Sequence, residues 1–158
     1  MLGVLGVLGV LHVPACWACR AEIFGSSLAL EPLMTTVTLT ADTFDKTVTE
    51  PGITIVDFWA AWCGPCKMFG PIFEEASDGH PDVIFGKVDT EAEQQLAASA
   101  GITSIPTLMA FRDGVLVFSQ PGALPAPSLE QVIAAVKALD MDDVHAKIAE
   151  QSPQSDAG

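Results

Sequence analysis

The chain has 158 residues, room for one ordinary domain with tails, and 49% of them are apolar, enough to bury a core without disulfide staples. Seven basic against twenty acidic residues give a net charge of −13, which repels phosphate backbones and argues against nucleic-acid binding. Four cysteines are too few for a disulfide-dense secreted scaffold, and no segment reaches the roughly 20 apolar residues of a membrane-spanning helix.

Residues 1–33 differ from everything after them. Leu-Gly-Val occurs in tandem across 2–10, followed by "ACWACR", and no sustained helical or strand period appears. The run has the apolar character of a signal peptide but no basic start, since Arg20 is the first positive residue. From Met34 the text changes. "TVTLT" at 36–40 alternates β-branched residues as a short strand, and Thr40 is placed to cap a helix beginning near Ala41. "ITIVDFWA" at 53–60 is nearly continuous in apolar residues, which predicts a strand covered on both faces. A helix is predicted from the pair Cys63 and Cys66 toward Asp78, interrupted at Pro71.

"DVIFGKVD" at 82–89 predicts another buried strand. "TEAE" at 90–93 reads as a capping box opening a helix to about Ala100. "PTLMAFRDGVLVFSQ" at 106–120 predicts two strands joined at Arg112-Asp113-Gly114. "SLEQ" at 128–131 reads as a second capping box, with Ile133, Val136 and Leu139 as the apolar stripe of a last helix. "QSPQSDAG" reads as a frayed end. The order β-α-β-α-β-α-β-β-α over 36 to about 140 predicts an α/β domain: a central mixed sheet with helices on both faces.

"AWCGPCK" at 61–67 carries the chemistry. Cysteines three apart at the mouth of a helix can close a disulfide across one tight turn. Pro65 suits the first helical turn, and unpaired amide donors there stabilise a thiolate on Cys63. Cys66, one turn in and expected to be the more buried, stays a thiol until needed. Cys63 is thus the expected nucleophile and Cys66 the resolving thiol. A structural disulfide would close too small a loop to constrain the unfolded chain. A Cys₄ zinc site with Cys16 and Cys19 is the rival, but residues 20–62 separate the pairs, far beyond ribbon spacing. Asp57, a carboxylate in an apolar strand, is a candidate proton acceptor for Cys66, unless it is a strand-end residue facing water. Trp62 is expected to flank Cys63 at the surface and Trp59 to pack beneath. Phe58, Phe69, Phe73 and Phe85 are expected in the core. His12, His80 and His145 have no neighbours that suggest a metal or an activated nucleophile.

"VDFWAAWCGPCK", "GKVDTE", "ITSIPT", "RDGVLVFSQPGAL" and a final amphipathic helix together resemble the thioredoxin family over about residues 36–140. The resemblance implies the thioredoxin fold, with residues 34–140 as the domain, 1–33 as an extension foreign to it and 141–158 as a C-terminal tail. It implies protein-disulfide reduction through a redox-active Cys63–Cys66 disulfide, with no cofactor and no metal. Recharging would come from a thioredoxin reductase, with disulfide-containing proteins as clients. Gly64 and Pro65 between the cysteines match the reducing members. By the same resemblance Lys87 partners Asp57, and Ile105-Pro106 forms a cis-proline turn whose Ile105 backbone pairs with an extended substrate. Trp62, Gly64, Ser104, Ile105, Gly122 and Ala123 then form an uncharged docking rim. From the residues alone, Lys87 reads as a snorkelling lysine and Pro106 as a trans proline. A monomer in the cytoplasm without stable membrane association is expected. The alternatives are an exported or lipid-anchored reductant, because "VPAC" at 13–16 loosely resembles a lipobox, and a binding module with incidental cysteines.

The extension is expected either to precede the true start at Met34 or to be disordered and dispensable, with Cys16 and Cys19 outside catalysis. Intact mass and amino-terminal sequencing from the native cell are expected to find a soluble chain beginning at Met34 or Thr35. A lipid-modified Cys16, or an exported chain starting just past Ala18, overturns that expectation.

Overall fold

A computed structural model describes residues 36–151. The expectations for residues 1–33, including Cys16 and Cys19, lie outside the described residues.

Five strands form one mixed sheet in the order β1-β3-β2-β4-β5. β1 (Thr36–Thr38) and β2 (Ile53–Trp59) both run parallel to β3 (Val83–Asp89), while β4 (Thr107–Arg112) is antiparallel to β2 and to β5 (Val115–Pro121). β2 lies at the centre and is buried from Thr54 to Phe58, as its apolar run predicts. Alternate residues of β2 face opposite helical layers. Ile55 packs with Phe69, Phe73 and Ala76 of α2 (Gly64–Gly79) and with Leu129, Ile133 and Val136 of α4 (Ala126–Ala138). Val56 and Phe58 pack with Phe44 and Val48 of α1 (Ala41–Thr49), and Leu96 of α3 (Gln94–Ser99) lies against the same cluster. The expected core phenylalanines Phe58, Phe69, Phe73 and Phe85 are all buried.

The ends of the elements show what local sequence decides and what it does not. Thr40 caps α1: its N–H donates to Thr43 Oγ1 at 3.0 Å. Asp113 (φ 51°) and Gly114 (φ 83°) both take positive φ, the conformation a two-residue hairpin turn requires, so β4 and β5 join where expected. The expected capping box at 90–93 does not form. α3 begins at Gln94, because Thr90 Oγ1 donates to Trp59 O at 3.1 Å and Glu93 Oε2 accepts from Ala41 N at 3.1 Å. Both side chains link to other elements instead of capping their own. Nor does Ser128 begin a helix. α4 starts at Ala126 with Pro127 in its first turn, where a missing N–H costs nothing. α2 continues through Pro71 as one helix, not two.

A further helix, α5 (Met141–Gln151), occupies most of the segment expected to be tail. Its only apolar residues of size, Met141, Val144 and Ile148, are spaced at i, i+3 and i+7, and Val144 and Ile148 line a cleft with Val115 and Leu116 of β5. Arg112 ties the preceding helix down. Its Nη1 donates to the carbonyls of Val136, Lys137 and Leu139 at 2.6, 3.0 and 2.7 Å, satisfying the end of α4.

One contact tests the packing between β3 and the first connection. A Cβ placed on buried Gly86 would fall on the Leu39 side chain, itself only 1% exposed. Gly86→Ala is expected to lower stability in urea unfolding by about 1–3 kcal/mol, the usual range for overpacking. Combined with Leu39→Ala, the loss should be smaller than the sum of the two single losses. Strict additivity would place Leu39 elsewhere.

Candidate active site

β2 delivers the site. Its last carbonyl, Trp59 O, accepts from Thr90 N at 2.9 Å, and Cys63 N donates to Ala60 O at 3.1 Å, closing a turn that sets Cys63 at the N-cap of α2. Cys63 and Cys66 form a disulfide with Cα atoms 5.3 Å apart. Cys66 N donates to Cys63 Sγ at 3.2 Å, so an amide of the helix's first turn points at that sulfur. Pro65 occupies the first turn and Gly64 begins the helix. Cys63 Sγ also lies 3.7 Å from Ile105 O.

The expectation that Cys66 is the more buried is not met, since both cysteines are 4% exposed. What distinguishes them is position. Cys63 sits at the cap where amides are unpaired, and Cys66 sits inside the first turn with its own amide already engaged.

Asp57 lies on the same face of β2 as Ile55 and Trp59, the face α2 covers. It is 1% exposed, and neither carboxylate oxygen has a hydrogen-bond partner. Burial raises its pKa from 3.8 to about 7, while the nearby positive charge of Lys87 pulls the other way. Asp57 is therefore an interior group and not a strand-end residue facing water.

Lys87 is in register with Asp57 on β3 and its charge acts on that carboxyl, but it makes no hydrogen bond to it. Its Nζ bonds Glu74 Oε1 at 3.0 Å and sits 5.4 Å from the centre of the Trp59 ring. The reason is solvation: the ammonium reaches a carboxylate at the protein surface instead of following Asp57 into the interior. Glu74 is the residue that sequence reading missed. Its only signal is its i+8 spacing from Cys66 along α2.

The rim assembles in two parts. Trp62, 68% exposed, shares a groove of about 600 Å³ with Cys63, Gly64, Pro65, Ser104 and Ile105, and α3 closes the groove through Gln94. The Ile105–Pro106 bond is cis. Gly122 (φ 100°) donates its N–H to Pro106 O at 2.8 Å, which places it and exposed Ala123 next to that turn but outside the groove. Trp59 is half-buried and packs against the cysteines with Ile105. His80 contacts Glu130 at 2.9 Å and Lys137 at 3.2 Å, linking α2 to α4, and His145 is exposed on α5. Among the described residues, no group of three or more His, Cys, Asp or Glu is arranged to hold a metal.

Comparison with known proteins adds to this geometry. The thioredoxin family model matches residues 35–135. A putative thioredoxin 2 of Streptomyces coelicolor is 54% identical over 123 residues, covering 78% of this chain and 92% of that protein. A thioredoxin of Staphylococcus haemolyticus is 40% identical over 103 residues, covering 63% and 96%. Among solved structures, a mutant thioredoxin of Halobacterium salinarum superposes with a TM-score of 0.62 at 29% identity, covering 66% of this chain and 93% of that one. The thioredoxin of Malassezia sympodialis superposes with a TM-score of 0.58 at 36% identity, covering 62% and 87%.

The buried carboxyl makes stability depend on pH in a stated direction. Asp57 binds its proton more tightly folded than unfolded. The penalty is therefore absent below pH 3.8, grows up to pH about 7 and is complete above it. At about 1.4 kcal/mol per unit, the full penalty is on the order of 4 kcal/mol. Asp57→Asn removes it. In urea unfolding of the oxidised protein, the gain from this substitution is expected to be larger at pH 8 than at pH 4, by on the order of 3 kcal/mol. An equal effect at both pH values would show that Asp57 is solvated.

Proposed function

The chain belongs to the thioredoxin family and is a thiol–disulfide oxidoreductase, and on that premise we propose that it reduces protein disulfides with Cys63 as nucleophile, Cys66 as resolving thiol and Asp57 as the proton acceptor for Cys66. The observation that carries this reading is the disulfide at the start of α2, with Cys66 N–H directed at Cys63 Sγ. In the dithiol form that amide and the helix terminus stabilise a Cys63 thiolate.

The steps follow from the positions. Cys63 thiolate attacks one sulfur of a client disulfide. A Cys63–client bond forms, and the other client sulfur leaves as a thiolate that takes a proton from solvent. Cys66 gives its proton to Asp57 and attacks Cys63 Sγ. The mixed disulfide breaks, the second client sulfur leaves as a thiolate that takes a proton from solvent, the Cys63–Cys66 disulfide forms, and Asp57 returns its proton to solvent. Two electrons have passed from the dithiol to the client.

Client docking uses the rim. Trp62 offers an apolar plate, Pro106 presents no backbone N–H, and Ile105 supplies backbone for an extended segment to pair with. Gly64 and Pro65 keep the cap narrow, and Gly122 and Ala123 border the turn. Thioredoxins are recharged by thioredoxin reductase and act on disulfide clients. For this chain we place the recharging partner as a flavoprotein thioredoxin reductase, and the protein as a monomer working in the cytoplasm without cofactor or metal. Size-exclusion chromatography and cell fractionation test the oligomeric state and the location.

Cys63→Ser is expected to abolish reduction of insulin disulfides followed by turbidity. Cys66→Ser should instead accumulate mixed disulfides with clients, visible on non-reducing gels. Full multiple-turnover activity in Cys66→Ser would reject the role assignment. Asp57→Asn should slow reduction near neutral pH by about tenfold or more, short of the full range a positioned proton acceptor contributes. An unchanged rate would remove Asp57 from the mechanism.

A further inference from the structure

α2 presents one stripe of its surface to β3. Cys66, Gly70 and Glu74 stand at i, i+4 and i+8, so they stack along the same side of the helix. Lys87 lies opposite the stripe. Its Nζ donates to Glu74 Oε1 at 3.0 Å, and a Cβ on Gly70 would stand 4.0 Å from the same nitrogen. Glycine at 70 thus leaves the space beside the ammonium open. Asp57 is the register neighbour of Lys87, yet both of its oxygens are without a partner. The ammonium is bonded to a carboxylate 58% exposed, while the buried carboxyl beside it has none of its hydrogen bonds.

We propose that Glu74 is a positioning residue for the disulfide chemistry: by holding the Lys87 ammonium toward solvent, it keeps the Asp57 carboxylate a stronger base, titrating closer to neutral pH, than an ammonium free to approach it would allow. This rests on the reading of Asp57 as proton acceptor for Cys66. Glu74 acts through Lys87: its hydrogen bond draws the ammonium toward the surface and away from Asp57. Burial is the larger influence on Asp57, and the field of Lys87 is the charge that works against it. β3 contributes Lys87, and α2 contributes the Cys63–Cys66 disulfide and, through Lys87, Glu74. β4 contributes apolar Leu108 in register. The ion pair is open to water on the Glu74 side, so it does little for stability and its removal leaves the fold in place.

The test is the titration of the Asp57 carboxyl carbon by NMR in the oxidised full-length protein. Glu74→Gln frees the ammonium to approach Asp57 and is expected to lower the midpoint by roughly half a unit, a roughly threefold change in proton affinity. Lys87→Met, which keeps an apolar stem, is expected to raise it. In the Lys87→Met background, Glu74→Gln should leave the midpoint where it is, because the effect of Glu74 runs through Lys87. An unmoved or raised midpoint in Glu74→Gln alone overturns the proposal. So does an equal downward shift in the Lys87→Met background, which would mean that Glu74 acts on Asp57 directly. The pH profile of insulin reduction should move with the midpoint. A midpoint that moves while the profile stays would remove Asp57 as proton acceptor and leave the hold of Glu74 on Lys87 standing.

Discussion

The site depends on the burial of β2 between two strands and two helical layers. A strand covered on all sides cannot shift register without moving apolar side chains into the wrong layer, so its carboxyl end is a fixed point. The turn from Trp59 to Cys63 hangs from that point by the bonds from Thr90 to Trp59 and from Cys63 to Ala60. The amino end of α2, with its unpaired amides, is therefore held where the cysteines need it. Phe69 and Phe73 anchor the helix on its buried side, with rings 5.8 Å apart and Phe73 in edge contact with Phe85. Burial of each such ring contributes about 1.5–3 kcal/mol.

The same burial imposes the main cost. Placing Asp57 in that strand forfeits its hydration without a hydrogen bond in return. The six buried phenylalanines of the two layers, Phe44, Phe58, Phe69, Phe73, Phe85 and Phe111, offset that cost. A carboxylate whose pKa is raised toward 7 is basic enough to take a proton from a thiol in the proposed mechanism, where a solvated one would be too weak a base. Stability is given up at the position where the proposed mechanism needs a proton acceptor, and the surrounding core holds the group there.

Charge is distributed in keeping with this. The chain carries a net charge of −13, yet the groove beside Cys63 is lined by Thr90, Gln94, Thr103, Ser104 and Ile105, none of them charged. In the proposed docking mode a client segment meets backbone groups, small hydroxyls and the exposed face of Trp62, not a field of one sign. Contacts of that kind accept many sequences, which suits a reductant that recognises a disulfide in extended chain.

The local text was enough for what depends on a residue and its near neighbours. The apolar run at 53–60 placed the central strand, Arg112-Asp113-Gly114 placed the hairpin, and Cys-Gly-Pro-Cys at a helix start placed the redox pair. In each case the deciding force acts within a few residues: alternation or continuity of apolar side chains, positive φ, unpaired amides. The motif resemblance extended that reading to the family, the sheet with helices on both faces, and the cis turn at Ile105-Pro106. Where a side chain has a choice of partners, the local text went astray. Thr90 and Glu93 spell a capping box, but Trp59 and Ala41 claim them, and α3 starts late. Ser128 spells another, but proline in the first turn lets α4 begin earlier. Residues 141–151 looked like tail because Met141, Val144 and Ile148 make too thin a stripe to read without the β5 residues that meet it. Lys87 stands apart: from the residues alone it reads as a snorkelling lysine, and its ammonium does reach the surface, but nothing local named the carboxylate it meets. Its place beside Asp57 is a matter of strand register, but the direction of its ammonium is a competition between a buried carboxyl and an exposed one. Only the packed helix brings Glu74 within reach, and solvation decides the outcome in its favour.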